Sequence, residues 1–399
     1  IGTKTTVTSE EGNFRFLRLP PGPYEIKCEL QGFQTVVRKG VVTTAGKTAQ
    51  VQIVMKTTQL EETMTITEQA NIIDTRKTQV QATISKEMLQ SLPTARNTWT
   101  LLNLIPGMML DRPDVGGAES GQQSSYTAGG TPDGDPGWNL EGADITDNSA
   151  LGAAPAYFNV NSFEEMQVTL GSNDITQRTS GVQINIVTKR AGNRYSGDFH
   201  LYVERDDWEF SPNPPEGFDD TNYTAPGIQR LYQYGVNFGG PIIKDHLWFF
   251  GSWGVQDIHK RTESGNEDAT WLVSAYGKLN FQYGNTSGGF RLNLNDKLKW
   301  GRLWWGATSQ APSTYWDQYG PTYIWYGNLQ QIIGNLMLNA KVAFTDGGFA
   351  LDPRGADVDS KGVNAGLDWW TWYYPITYRP GSIYEYGTDR NQWDLSLDG

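Results

Sequence analysis

The sequence predicts a mainly β protein whose C-terminal half is a series of long antiparallel strands, and three observations support this fold class. Glycine is abundant, with 45 residues, and aromatic residues make up 12% of the chain, while apolar runs are short. Apolar and polar residues alternate repeatedly after residue 194. No apolar run approaches the roughly 18 residues of a membrane helix, which excludes a helical membrane protein but leaves a membrane barrel open.

Composition narrows the possible partners and cofactors. The net charge is −12 and no basic stripe is present, so nucleic acid is excluded as a partner. Cys28 is the one cysteine, which rules out a disulfide within the chain. The three histidines lack the spacing of metal ligands. No metal or other cofactor is therefore predicted.

Residues 1–57 show the pattern of a small β-sandwich with one buried face. Turn residues at 10–13 precede a predicted strand over Phe14–Leu17. A proline-rich turn then leads into a strand over Tyr24–Leu30, and Val51–Met55 is predicted to close the unit.

The middle of the chain mixes short elements. Residues 58–74 are polar with a short β-prone centre, which predicts a linker. Residues 75–193 then contain two short helical candidates, 84–89 and 99–104, and an apolar strand candidate over 182–187. An α+β domain is predicted here.

From residue 194 onward the period is two. In the segment 231–239, Tyr232, Tyr234, Val236 and Phe238 form one face. Such strands are typical of a transmembrane barrel, although a soluble sandwich or propeller also alternates. The connections differ greatly in length, with a long polar one over 206–228 and a short one over 239–245, which favours a barrel.

Three segments resemble a known family. Residues 8–33, with Gly12-Asn13-Phe14 and Leu19-Pro20-Pro21-Gly22-Pro23-Tyr24, resemble the carboxypeptidase-regulatory-like domain, with its first strands missing. The order of motifs between Ile84 and Gly192 resembles the plug of TonB-dependent receptors, above all Ile184-Asn185-Ile186-Val187-Thr188-Lys189. Residues 239–251 resemble a tight turn between early barrel strands of the same receptors.

The resemblance implies an architecture and a set of plug residues. It implies a mainly β protein: an N-terminal β-sandwich (1–57), a linker (58–74), an α+β plug domain (75–193) and part of a large antiparallel transmembrane β-barrel (194–399). Such a barrel has about 22 strands, and about ten fit after residue 194, so we expect a longer polypeptide. The sequence departs from the family at Glu141-Gly142, where an aspartate-glycine pair is usual. The plug-motif residues are Pro106, Gly107, Gly142, Asn185, Thr188 and Lys189.

The same resemblance implies active transport of an unidentified substrate across the outer membrane of a Gram-negative bacterium, with the plug gating the barrel and the N-terminal domain in the periplasm. Its partners would be a TonB-type inner-membrane energy transducer, outer-membrane lipid, and a small-molecule, glycan or peptide substrate. A transducer binds a short extended segment by adding a strand to it. The candidate for this TonB box is Glu62, Thr63, Met64, Thr65, Ile66 and Thr67.

The fold and the N-terminal domain suggest two alternatives to transport. An outer-membrane adhesin or scaffold could use the same fold without energised uptake. A zinc carboxypeptidase would need a His-x-x-Glu motif, which the sequence lacks. The acidic pairs Asp206-Asp207 and Asp219-Asp220 lie in loop-like sequence, where solvated carboxylates are expected. We therefore predict no enzyme and no catalytic residue. Aromatic residues in 306–321 and 352–384 could contact substrate or form an interfacial belt.

Overall fold

A computed structural model describes most of the chain, and two compact units are separate in it, Thr3–Val80 and the remainder. Among the described residues, no helix has the length and apolarity to cross a membrane. The described residues are 3–9, 11–16, 19, 21–44, 48–57, 63–67, 80–92, 96–112, 114, 116–132, 134–171, 178–208, 227–261, 267–302, 315–334, 336–353 and 386–398.

The N-terminal unit contains one three-stranded sheet, with β1 (Gly22–Cys28), β2 (Thr35–Thr43) and β3 (Thr63–Thr67) in that order. β2 pairs antiparallel with β1 and parallel with β3. The valine-rich sequence of β2 favours a strand, and Val36 and Val41 are buried.

Two predicted strands of this unit are not strands in the described residues. Residues 14–16 and 51–55 have no regular pairing, and Leu17 lies outside the described residues. The second segment is joined to the sheet by single bonds: Arg38 Nη1 donates to Gln52 O at 3.0 Å and Gln34 N donates to Lys56 O at 2.8 Å. Alternation alone does not distinguish such a segment from a strand, because the hydrogen-bond partners come from elsewhere in the chain.

Residues 81–193 of the second unit, here called the inner domain, surround a five-stranded sheet of order β4-β9-β10-β7-β8. β10 lies between antiparallel β9 and parallel β7. The elements are β4 (Val80–Ser85), α1 (Lys86–Ser91), a 3₁₀ turn (Thr100–Leu104), β5 (Met108–Leu110), β6 (Tyr126–Ala128), β7 (Gly137–Leu140), β8 (Ala143–Asp144), a 3₁₀ turn (Val160–Ser162), β9 (Phe163–Gly171) and β10 (Gln183–Thr188).

The inner domain surrounds a hydrophobic core, to which Ile324 of the chain's later strands also contributes. Trp138, Ile184 and Ile186 are fully buried, as expected for central strands covered on both faces. Leu101 and Leu102 pack into the same core from the 3₁₀ turn that occupies the second predicted helical segment. α1 occupies the first, and Ser85 caps it by accepting a bond from Met88 N.

The described residues from 196 onward form one ten-stranded antiparallel sheet, here called the strand wall. Short turns at 244–246 and 284–285 lie at one end, and Arg205 at the end of β11 and Gly227 at the start of β12 lie at the other. The strands are β11 (Ser196–Arg205), β12 (Gly227–Ile243), β13 (Leu247–Arg261), β14 (Glu267–Tyr283), β15 (Thr286–Arg302), β16 (Trp316–Tyr319), β17 (Thr322–Ile333), β18 (Leu336–Pro353), β19 (Tyr386–Asp389) and β20 (Gln392–Asp398).

Burial in the strand wall is the reverse of that in a soluble sheet. On β12, Asn237 is 1% exposed while its neighbour Phe238 is 50% exposed. On β15, Arg291 is 1% exposed and Phe290 is 47% exposed. Polar side chains therefore face the inner domain and apolar side chains face outward, which is the arrangement that a lipid environment requires. This observation favours the membrane barrel over the soluble sandwich.

Candidate functional site: the contact between the inner domain and the strand wall

A tight turn places one carboxylate against the strand wall. Glu141 and Gly142 connect β7 to β8, and both have positive φ angles, +55° and +82°. Two successive left-handed residues are the geometry of a two-residue hairpin turn, in which glycine is favoured at the second position. The turn is stabilised by Gly142 N, which donates to Asn185 Oδ1 at 2.9 Å. Glu141 is consequently held at the edge of the inner domain.

The Glu141 carboxylate joins the two parts of the structure. Its Oε1 accepts bonds from Thr188 N (3.0 Å) and Thr188 Oγ1 (2.6 Å) within the inner domain. From the strand wall, Lys278 Nζ lies at 2.8 Å and Arg291 Nη1 at 3.3 Å. The side chains of Lys278 and Arg291 are only 6% and 1% exposed. We call these four residues the Glu141 cluster.

Electrostatics keep Glu141 ionised. Burial alone would raise the pKa of its carboxyl group, but the charges of Lys278 and Arg291 and the bonds from Lys278 and Thr188 outweigh it. The pKa falls from 4.5 to about 2. The carboxylate is therefore charged at any physiological pH, and its two cationic partners are compensated only while the inner domain is in place.

Neighbouring contacts strengthen this attachment. The guanidinium of Arg291 lies over the ring of Tyr276, 4.4 Å from its centroid, and Arg291 Nη1 donates to Thr188 Oγ1 at 2.7 Å. Tyr276 Oη lies 3.3 Å from both Ser162 O and Lys189 O, and can donate to either carbonyl. The wall thus contacts the inner domain through its charged side chains and the Tyr276 hydroxyl, and the cation–π contact fixes Arg291 within the wall.

The structure brings together four of the six predicted plug-motif residues. Gly142, Asn185 and Thr188 belong to the turn and the strand around Glu141. Lys189 follows β10, and its Nζ lies 3.4 Å from Asp198 Oδ2 on β11. Burial lowers the Lys189 pKa, which nearby Asp198 partly opposes. Pro106 and Gly107 lie apart from these four, in the exposed turn that leads to β5.

The key partners Glu141, Lys278 and Arg291 were not selected from the sequence. A signal was present: Lys278 and Arg291 occupy polar positions of two alternating strands, and the register pairs them directly opposite each other. Like charges at opposite positions of a strand pair repel. A buried pair of this kind requires a counter-ion, and Glu141 provides it.

The predicted TonB box lies in the N-terminal unit. Thr63, Met64, Thr65, Ile66 and Thr67 form β3, while Glu62 lies outside the described residues. β3 is the last strand of its sheet, and only its pairing with β2 occurs among the described residues. The segment is therefore extended, and within the described part of the chain its second backbone edge has no strand beside it.

Comparison with known sequences identifies two regions of similarity. Residues 2–56 match the carboxypeptidase regulatory-like domain family. Over 268 residues the chain is 25% identical to the TonB-dependent transporter Oar of Myxococcus xanthus, which covers 62% of this chain and 23% of that protein. The chain thus spans less than a quarter of this curated relative.

Solved structures show the same fold. The outer membrane transporter YddB of Escherichia coli superimposes with a TM-score of 0.58 at 12% identity, covering 79% of this chain and 45% of that one. The ferripyoverdine receptor of the Pseudomonas aeruginosa outer membrane gives a TM-score of 0.53 at 13% identity, covering 71% and 36%. The strand wall therefore has the fold of part of a receptor barrel. With a carboxypeptidase regulatory-like domain at its N-terminus, the chain is similar to TonB-dependent outer-membrane transporters.

Proposed function

We propose that this protein imports a substrate across the bacterial outer membrane by TonB-dependent active transport, with the inner domain acting as the plug of the barrel. The observation that carries this proposal is the Glu141 cluster. It attaches the inner domain to the wall through non-covalent charge contacts, which can break and re-form during each transport cycle. Disruption of the Glu141 cluster leaves the buried cations Lys278 and Arg291 without a counter-ion. The arrangement in which the inner domain contacts the wall is therefore strongly favoured unless energy is supplied.

The energy source would act through β3. A transducer strand pairing with the second edge of β3 would gain main-chain hydrogen bonds, which suits a segment of extended backbone. The N-terminal domain would then lie in the periplasm, on the transducer side of the membrane. The partners are a TonB-type transducer and outer-membrane lipid, as the resemblance implies.

The test is a pair of deletions of equal length. A growth screen across iron chelates, glycans and peptides first identifies a nutrient whose use requires the protein. Deletion of residues 61–67 should then abolish its uptake, whereas deletion of 68–74 shortens the same segment equally but leaves β3 intact and should preserve uptake. Surface labelling of each variant confirms equal amounts in the outer membrane.

The same measurement distinguishes transport from an adhesin or scaffold. If uptake is unchanged after deletion of 61–67, energised transport through this segment is wrong. An adhesin or scaffold would tolerate both deletions, since neither function requires a transducer.

A further inference from the structure

A polar cavity lies between the inner domain and the strand wall, away from the Glu141 cluster. Its volume is about 390 Å³, which is within the range of small-ligand sites. Inner-domain residues from 112 to 157 form one side, and β15, β17 and β18 contribute to the other. On β15 the lining residues lie in the half of the strand remote from the short turn 284–285. The cavity is therefore at the end of the wall opposite the short turns.

Cations predominate among the charged side chains of this cavity. Four cationic residues face two carboxylates, a local net charge of +2, although the chain as a whole carries −12. A cavity that concentrates positive charge in an acidic protein attracts anions. The cations are Arg112, Lys297, Arg302 and Arg390, and the carboxylates are Asp147 and Asp296.

Two of these cations are arranged around one ring. The guanidinium carbons of Arg302 and Arg390 lie 5.7 and 4.5 Å from the ring centroid of Phe349. Arg390 also pairs with Asp147, and Arg302 donates to Gln318. Cation–π contacts and these bonds restrict both side chains. Guanidinium groups whose orientation is fixed in this way are suited to bind planar carboxylates, through two parallel hydrogen bonds each.

A third cation is buried beside them without an ion partner in the described part of the chain. Lys297 is 5% exposed, and its Nζ donates to Gly121 O at 2.6 Å and Tyr157 Oη at 2.8 Å. Both acceptors are neutral. A buried ammonium group without a carboxylate is costly, and an anion in the cavity would reduce that cost.

Several polar atoms of residues that line the same cavity have no hydrogen-bond partner among the described residues. Asn295 is 4% exposed, and neither its Nδ2 nor its Oδ1 has a partner among the described residues. Gln122 Nε2 and Arg390 Nε are also buried without one. Each such buried atom has lost its hydrogen bonds to water without gaining a replacement, which destabilises the cavity. An amide with both its donor and its acceptor unused suits a hydroxyl group, which can accept from one and donate to the other.

We propose that this cavity is a substrate subsite for a small, oxygen-rich dianion, with two carboxylate groups on a body that carries hydroxyl groups. Arg302 and Arg390 would bind the carboxylates, Lys297 would supply the third positive charge, and Asn295 would bind a hydroxyl group. This inference names the substrate class of the proposed transporter, and in that sense rests on the proposed function.

The test is calorimetry on the full protein in detergent with two matched disaccharides. Digalacturonate carries two carboxylates and many hydroxyl groups, whereas galactobiose has the corresponding rings without the charge. We expect digalacturonate to bind at least tenfold more tightly, with an affinity that falls as salt rises. Arg302→Gln and Asn295→Asp should each weaken its binding at least tenfold. Asn285→Asp introduces the same charge as Asn295→Asp in the exposed turn 284–285 and should leave the affinity unchanged.

Three results would contradict the proposed subsite. They are no heat of binding with digalacturonate at a tenfold molar excess and millimolar concentration, equal affinity for galactobiose, or unchanged affinity for digalacturonate in both cavity variants. Arg302→Lys keeps a positive charge and should lose less affinity than Arg302→Gln, which separates a charge effect from a folding defect. Binding in detergent needs no transducer, so the deletion of 61–67 should leave it intact. Failure of the subsite and failure of energised transport are thus observed separately.

Discussion

At the scale of single residues, the contact between the inner domain and the wall depends on the charge of Glu141. Glu141→Gln keeps the size of the side chain but removes the charge that compensates Lys278 and Arg291. We expect the inner domain to lose about 3 kcal/mol of attachment, because breaking a buried ion pair leaves the partner charges uncompensated. Hydrogen exchange of inner-domain amides in the membrane-embedded protein measures this loss. Glu141→Asp keeps the charge and should retain more protection; equal protection in Glu141→Gln and the parent would contradict the prediction.

The same residue predicts a pH dependence. The pKa of Glu141 falls from 4.5 to about 2 on folding, so the folded state favours the charged form. Its contribution is fully present above pH 4.5 and is lost as the pH falls from 4.5 to 2. We expect inner-domain protection to be constant from neutral pH down to about 5 and then to decline. In Glu141→Gln this specific decline should be absent; an identical pH profile in both proteins would show that Glu141 is not its source.

The sequence predicts the residues of the contact that belong to a motif, but not their partners in distant strands. Gly142, Asn185 and Thr188 were identified because they resemble a family motif, and the structure joins them through bonds to Glu141 and to each other. Lys278 and Arg291 lie 137 and 150 residues after Glu141. Strand alternation places them on the polar face, but a partner so distant in sequence is revealed only by the fold.

At the scale of elements, glycines in the wall make room for the inner domain. A Cβ atom on Gly254 of β13 would lie 2.4 Å from Asn159 Nδ2. Gly254→Ala should therefore displace the Asn159 side chain, whose oxygen accepts a bond from Asn161 N, and destabilise the contact by about 1–3 kcal/mol. Gly277 of β14 has nothing within 4 Å of that position, so Gly277→Ala is a matched control and should change stability by less than about 0.5 kcal/mol. Thermal unfolding compares the two, and equal shifts would refute the steric explanation.

The elements themselves were predicted unevenly. The predicted helical segment 84–89 overlaps α1 (Lys86–Ser91) but begins in β4, and the predicted segment 99–104 is a 3₁₀ turn (Thr100–Leu104). The strand predicted at 182–187 is β10 (Gln183–Thr188). In the N-terminal unit, residues 51–55 are not a strand, and β3 in the predicted linker is the third strand. Parallel pairing of β3 with β2 depends on a connection across 20 or so residues, which no local pattern encodes.

At the scale of the whole molecule, the outward face of the wall should respond to charge according to its depth in the bilayer. Leu294 lies in the middle of β15 and is 40% exposed, while Tyr283 ends β14 and is 74% exposed. Leu294→Arg should cost about 2–4 kcal/mol in lipid, whereas Tyr283→Arg should cost about 0–1 kcal/mol. Urea unfolding from lipid vesicles measures both. Equal costs would indicate that this face does not contact hydrocarbon.

Alternation predicted the strands of the wall but did not settle which face is inside. A period of two is the same for a soluble sheet and a membrane sheet. Only the burial of residues such as Asn237 and Arg291, and the exposure of Phe238 and Phe290, assigns the polar face to the interior. The unequal connection lengths and the resemblance to receptors also favour the membrane sheet.

The distribution of charge in the Glu141 cluster has a consequence for biogenesis. Lys278 and Arg291 are directly opposite each other on adjacent strands, so their repulsion opposes pairing of β14 with β15 when no carboxylate is near. Glu141 precedes Lys278 by 137 residues, and is therefore synthesised first. An inner domain that is already folded would act as a template, neutralising the two cations as the strands come together. The inner domain would then assist the assembly of the strand wall, in addition to the closing role proposed for it.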